Sequence, residues 1–119
     1  EIGAEYGGVF VSSGTATRRI KIYFGGTMFF DTGALTLILS SAWTVYVNII
    51  RVSSTVVRVM ASLTTEGAAL SAYTDVLEIT GLTLSNTNIL KITGQAAGIG
   101  AASNDIVAKI GKVYWVAAS

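Results

Sequence analysis

Asp31, Glu66, Asp75, Glu78 and Asp105 are the side chains with which this chain could do acid–base chemistry. Two carboxylates, one protonated and one ionised, suffice for glycoside hydrolysis when they flank the scissile bond. Most of these five stand beside Gly, Thr, Asn or Ser, where an Asp side chain folds back on the backbone to cap a turn, and the turn reading is preferred. A serine nucleophile needs a base, usually His, and the sequence contains no His. Lysine can replace it, but no Ser-x-x-Lys segment in a helical pattern is present. The run 94–100 (GQAAGIG) has the wrong spacing for a dinucleotide loop, and no helical pattern follows it. Asp31 or Asn104-Asp105 could touch calcium, but there is no D-x-D-x-D-G string to build a cage. Cys is absent, which excludes disulfides and thiolate metal sites and leaves the redox compartment open. The expectation is a non-enzymatic protein with no catalytic residue, no cofactor and no metal site.

The aromatic side chains carry the remaining chemistry. Trp43, Tyr46, Tyr73, Tyr114 and Trp115 could stack on sugar rings from exposed loops or edges. Trp43 opens a strongly periodic strand, which places it at the end of a core. Tyr114 and Trp115 are adjacent and must face opposite ways in a strand, so one of them is a contact for a subunit or a ligand. Subunit contact is favoured, because aromatic residues are enriched at interfaces whose cores are poor in charge.

Charge is the feature that sets this chain apart. Only 13% of its 119 residues are charged and 51% are hydrophobic, against about 25% charged in ordinary soluble domains. Eight basic and seven acidic residues leave a net charge of +1. The one local basic cluster, Arg18, Arg19 and Lys21, falls short of the stripe that phosphate neutralisation requires, so no nucleic-acid partner is expected. No uncharged apolar run reaches the ~18 residues of a spanning helix. The longest, 35–50, is broken by Ser40, Ser41, Thr44 and Asn48 and alternates like a strand. No basic-then-apolar signal segment opens the chain, and it begins at Glu1 rather than Met, as a processed product or a piece of a longer protein would. With a membrane partner set aside, assembly explains the charge poverty.

Those residues must be positioned by strands. Thr, Ser, Val, Ile, Gly and aromatic residues dominate, favouring pleated surfaces over helices, and short apolar runs recur between Gly, Ser, Thr, Asn and Asp clusters. Strands are expected at 8–13, 17–24, 27–30, 35–39, 43–52, 55–63, 88–93 and about 105–116, the last with a break at Gly111. One or two short strands are expected within 75–84. Gly25-Gly26 reads as a hairpin turn and Asp31-Thr32-Gly33 as a second turn. Segment 64–73 reads mainly as loop, with room for a helical turn, and 95–104 as a long flexible loop. The length suits one domain that can bury roughly two-thirds of its unfolded surface. A single antiparallel β-sandwich of about eight strands, jelly-roll-like, is therefore expected over 1–119, with residues 1–16 a candidate N-terminal arm or assembly strand.

Several of these strands are apolar on both faces: Ile50 and Val52 oppose Val47 and Ile49, and Tyr114 and Val116 oppose Val113 and Trp115. A free-standing sandwich solvates one face of each sheet, so such strands point to a covered outer face. Pro, a common guard of sheet edges, is absent. The expected subunit contacts are Ile50, Val52, Met60, Tyr114 and Val116. A second reading, a carbohydrate-binding receptor module, places Tyr73, Gln95 and Asn104 at a host surface glycan. A third is a secreted filament subunit in which a terminal strand, 8–13, completes a neighbour's sheet.

The run Arg19-Ile20-Lys21-Ile22-Tyr23-Phe24-Gly25-Gly26-Thr27 is followed by Phe30-Asp31-Thr32-Gly33-Ala34, then by Trp43 and a strand to Ile49-Ile50-Arg51. Further on come Lys91-Ile92-Thr93-Gly94-Gln95 and Asn104-Asp105-Ile106-Val107. This pattern resembles β-rich virion structural proteins of tailed phages, over roughly residues 17–116. The segment 37–41 (LILSS) departs from it, being more apolar than the Gly-rich linker expected before the Trp. The resemblance implies a tail-fibre, head-fibre or capsid-decoration module, located in the virion as an extracellular particle. It also implies a homotrimer with other virion proteins as partners, and no catalytic residue belongs to it.

Overall fold

The computed structural model describes residues 1–11, 17–36, 41–65, 71–73, 76–98 and 106–115. Ten strands are present among them: β1 (Ile2–Phe10), β2 (Thr17–Phe24), β3 (Thr27–Asp31), β4 (Leu35–Thr36), β5 (Ser41–Arg51), β6 (Val57–Thr65), β7 (Ser71–Tyr73), β8 (Leu77–Ile79), β9 (Leu90–Ala97) and β10 (Ile106–Trp115). All pairings are antiparallel. The larger sheet runs β10-β1-β5-β6, with β7 and β8 both on the free side of β6. The smaller sheet has β9 on one side of β2, and β3 and β4 on the other. Because β7/β8 and β3/β4 each fill one lane in two pieces, the sandwich has five lanes packed on three. That is the expected all-β sandwich. The first and last strands pair in one sheet and the second and penultimate in the other, a jelly-roll-like wrap.

Alternation builds the core. Trp43, Val45, Val47 and Ile49 of β5 and Val57, Val59, Ala61 and Leu63 of β6 all point inward, each under about 5% exposed. Ile20, Ile22 and Phe24 of β2 meet them from the smaller sheet, with Phe29 and Phe30 of β3. Gly25 and Gly26 take positive φ values of 57° and 84°, the backbone a two-residue hairpin between β2 and β3 requires. Loop 80–89 locks the sandwich end through Leu82 N–H to Thr55 O and Leu84 N–H to Ser54 O, 3.0 and 3.1 Å.

Several expectations need correction. The first strand begins at Ile2 rather than at residue 8, and β1 is hydrogen-bonded on both sides within its own chain, to β10 and to β5. Gln95 to Ala97 are strand, not loop, because Thr17 to Arg19 of β2 supply their backbone partners. β10 continues through Gly111, where the Tyr6 ring of the adjacent strand lies in the space a side chain would fill. Residues 71–73, read as loop, form β7 against Ser62–Thr64. Within 76–84 only Leu77–Ile79 is strand.

Arg18 is the largest departure. It lies on the inward row with Ile20 and is fully buried, its guanidinium donating to the Val11 carbonyl. Arg19 faces the other way and pairs with Asp31, so the Arg18, Arg19 and Lys21 cluster is split between two faces of β2.

Candidate functional site

In an antiparallel pair, residues opposite one another point to the same side, so the strand registers lay out the outer face of the larger sheet row by row. One row reads Tyr114, Gly3, Asn48, Met60 across β10, β1, β5 and β6. The next reads Lys112, Glu5, Tyr46, Ser62, and the third Ile110, Gly7, Thr44, Thr64. At the end of the sheet Ile50 sits opposite Arg58, which sits opposite Glu78. Tyr46, Ile50 and Met60 are 44%, 48% and 43% exposed, and Ile110 reaches 71%.

Two glycines shape this face. A Cβ at Gly3 would run into the Tyr114 ring, and one at Gly7 would stand 3.0 Å from Ile110 Cγ1. Tyr114 and Ile110 therefore lie down over β1 instead of standing up from β10. That is why Gly3 and Gly7 are buried although they belong to the outer rows. Between Gly7 and Gly8 the register slips, and Gly8 accommodates the Val107 carbonyl at the bulge.

Two charged pairs stand on opposite sides of the face. Lys112 Nζ lies 3.1 Å from Glu5 Oε2, and also 5.6 Å from the centre of the Tyr114 ring. Arg58 donates to Glu78 at 2.8 Å. Between them the rows of β5 and β6 carry Tyr46, Met60 and Ile50 among Asn, Ser and Thr. Large exposed side chains set among small polar ones, with ion pairs to either side, suit a mixed protein–protein contact, whose area is about as apolar as the rest of a protein surface.

Of the expected subunit contacts, Ile50, Met60 and Tyr114 are thus brought onto one face. Val52 is exposed but lies past the end of β5 in the hairpin to β6, where its N–H binds Val56 O at 2.9 Å. Val116 lies outside the described residues. Tyr46 and Ile110 belong to the same face and were missed as contacts. The period-two pattern of 43–52 already placed Tyr46 opposite the core, whereas Ile110 needed the bulge and Gly7 to be visible.

The expected glycan contacts do not gather. Gln95 is exposed on β9, beside β10, whereas Tyr73 pairs with Ser62 on the far side of β6. Asn104 lies outside the described residues, as do Glu66, Asp75 and Asp105. Trp43 is buried at the core's end and stacks on Phe10, ring centres 5.9 Å apart.

Asp31 is held by two contacts from Arg19 at 2.7 and 2.5 Å and accepts the Gly33 N–H at 2.8 Å. The Arg19 hydrogen bonds, aided by the Gly33 amide, draw its pKa down to about 2. Such a carboxylate is a turn clamp and a poor proton acceptor near neutrality. Glu78 is occupied by Arg58.

Clefts lined by described residues indent the sandwich at two places. One, about 260 Å³, opens at the end formed by Ile2, Phe24, Ile49 and Leu84, with Glu1, Arg51 and Asn88 at its mouth. The other, about 170 Å³, lies between β9 and β10 over Tyr6, Trp43 and Ile106. Neither brings two carboxylates together, and no cluster of three or more metal-ligating side chains exists among the described residues. No helix among them is long and apolar enough to cross a membrane. Comparison with known protein families, with characterised proteins and with solved structures gives no match to this chain.

Proposed function

We propose that this chain is a non-enzymatic structural subunit that assembles with copies of itself, and that the particle it builds is a phage virion, as a fibre, spike or capsid decoration. The observation that carries the assembly reading is the outer face of the larger sheet. Five lanes at ~4.8 Å and about nine residues of β5 at ~3.4 Å make a surface of about 24 by 30 Å, or roughly 700 Å². A standard interface takes about 800 Å² from each partner, so one face is of the right size to meet its like. On it Gly3 and Gly7 make room for the Tyr114 ring and Ile110 over β1. Burial of such a face would also explain a chain that carries little charge. The virion setting rests on the resemblance of residues 17–116 to tailed-phage structural proteins.

The test is the Met60→Glu variant, which puts a carboxylate in the middle of the face on a side chain already 43% exposed. Sedimentation velocity should show the wild-type chain as an oligomer, a trimer on the resemblance, and the variant as a folded monomer. An oligomer unchanged by Met60→Glu would contradict the use of this face.

A further inference from the structure

β10 is attached to the molecule mainly along one strand edge. Among the described residues the buried apolar core is drawn from residues 4–82, and the described part of β10 adds to it only Ile106, half-buried and packed against it. Its inward row is open at one end and closed at the other: Val113, opposite the fully buried Ala4, is 59% exposed, whereas Ile106, opposite Phe10, packs against the core. What seats β10 is the edge of β1. Tyr114 fits over Gly3, Ile110 over Gly7 and Lys112 against Glu5, beside the backbone ladder from Ile2 to Phe10.

We infer that β10 is an exchangeable strand, and that in the assembly the β1 edge of one copy is filled by β10 of a second copy. This rests on the proposed self-assembly and states how the copies hold one another. The occupant follows from the fit of the edge: the glycine hollows at Gly3 and Gly7 and the charge at Glu5 are complementary to Tyr114, Ile110 and Lys112, and every copy carries the same strand. Exchange replaces Ile106 against the core, and each β1–β10 contact, by the identical residue of a second copy, so the contact energies nearly cancel. The connection is long enough. Eight residues, 98–105, separate β9 from β10 and span up to about 28 Å when extended, more than the 25 and 22 Å short dimensions of the molecule. Passed in one direction around a ring, the strand closes a trimer; passed without closure, it makes a filament.

The chain has no Cys of its own, which makes a clean test possible. Glu5 and Lys112 are direct partners, and Cα atoms so paired stand about 4.5–5.5 Å apart, within disulfide reach. Two single variants, Glu5→Cys and Lys112→Cys, carried on chains of different length, are unfolded together, refolded as a mixture and mildly oxidised. Exchange predicts that a covalent heterodimer joined through positions 5 and 112 dominates a denaturing, non-reducing gel, with homodimers minor. The solution mass of the wild-type chain is measured in parallel. An oligomeric wild type with no heterodimer in the mixture overturns the exchange and leaves assembly through the outer face standing. A monomeric wild type with no heterodimer overturns both.

Discussion

The two sides of the larger sheet are built to opposite ends. In the smaller sheet β3 and β4 share a lane broken at Asp31-Thr32-Gly33, and beyond β6 the described parts of the outermost lane, β7 and β8, are three residues each. A broken lane such as that of β3 and β4 offers an incoming strand few consecutive backbone partners. On the other side β9 and β10 run eight and ten residues without a gap, and β10 exposes Ile110, Val113 and Tyr114. The guarded side also holds more of the core: β5, β6 and β8 sink Val45, Leu63 and Ile79, while β10 offers only the half-buried Ile106 among its described side chains. The contrast teaches that edge protection here is local. The chain breaks the β3/β4 edge and leaves long the two strands, β9 and β10, that give the core only half-buried side chains.

The largest effect that could break this contrast is in the core. Leu63→Ala, at a side chain 1% exposed, should cost about 2–5 kcal/mol. Val113→Ala, on β10, should stay within about 0.5 kcal/mol. Chemical denaturation of both variants measures the difference, and equal losses would mean that β10 belongs to the core after all.

Gly3→Val sharpens the comparison from the other direction. The added side chain must displace the Tyr114 ring, which should cost about 1–3 kcal/mol by overpacking. Amide hydrogen exchange should then quicken along Ile106–Trp115 and stay slow in β5 and β6. Restored protection in Gly3→Val/Tyr114→Ala would confirm that the ring is what the glycine seats.

The smallest effect lies at the guarded edge. Arg19 and Asp31 clamp the turn that interrupts the β3/β4 lane, and the pair is partly exposed, so Asp31→Asn should cost up to about 1 kcal/mol at pH 7. Because the folded-state pKa of Asp31 lies near 2, below the ordinary 3.8, its stabilisation is present above about pH 4 and is lost as pH falls toward 2. Wild type and variant should therefore converge in midpoint near pH 2, as thermal unfolding across that range would show.

Much of this guarded half is legible in the residues alone. The alternation of 17–24, 43–52 and 55–63 places β2, β5 and β6 and assigns their inward rows, and Gly25-Gly26 marks the hairpin. Even Arg18 follows the same alternation, two positions before Ile20; its charge is what hides it, since a buried guanidinium needs an acceptor, here the Val11 carbonyl, that no local pattern announces. The open half reads poorly for a physical reason. Ile2 to Gly8 is rich in glycine, a weak strand former on its own, and those glycines make sense only once Tyr114, Ile110 and the bulge at Val107 are seen against them. Gln95 to Ala97 are small and polar, and become strand only because β2 offers a partner more than seventy positions away in sequence. The candidate face was half legible: Ile50, Met60 and Tyr114 from two-sided apolar strands, but not the seats that Gly3 and Gly7 give Tyr114 and Ile110.

Light scattering across a concentration series on the unmodified chain tests the central claim most directly. Self-assembly predicts a mass that is a small multiple of 12.4 kDa, three on the resemblance, and that holds on dilution. A mass of one chain at every concentration would contradict it, and the large exposed side chains of the outer face would then have to serve a different partner.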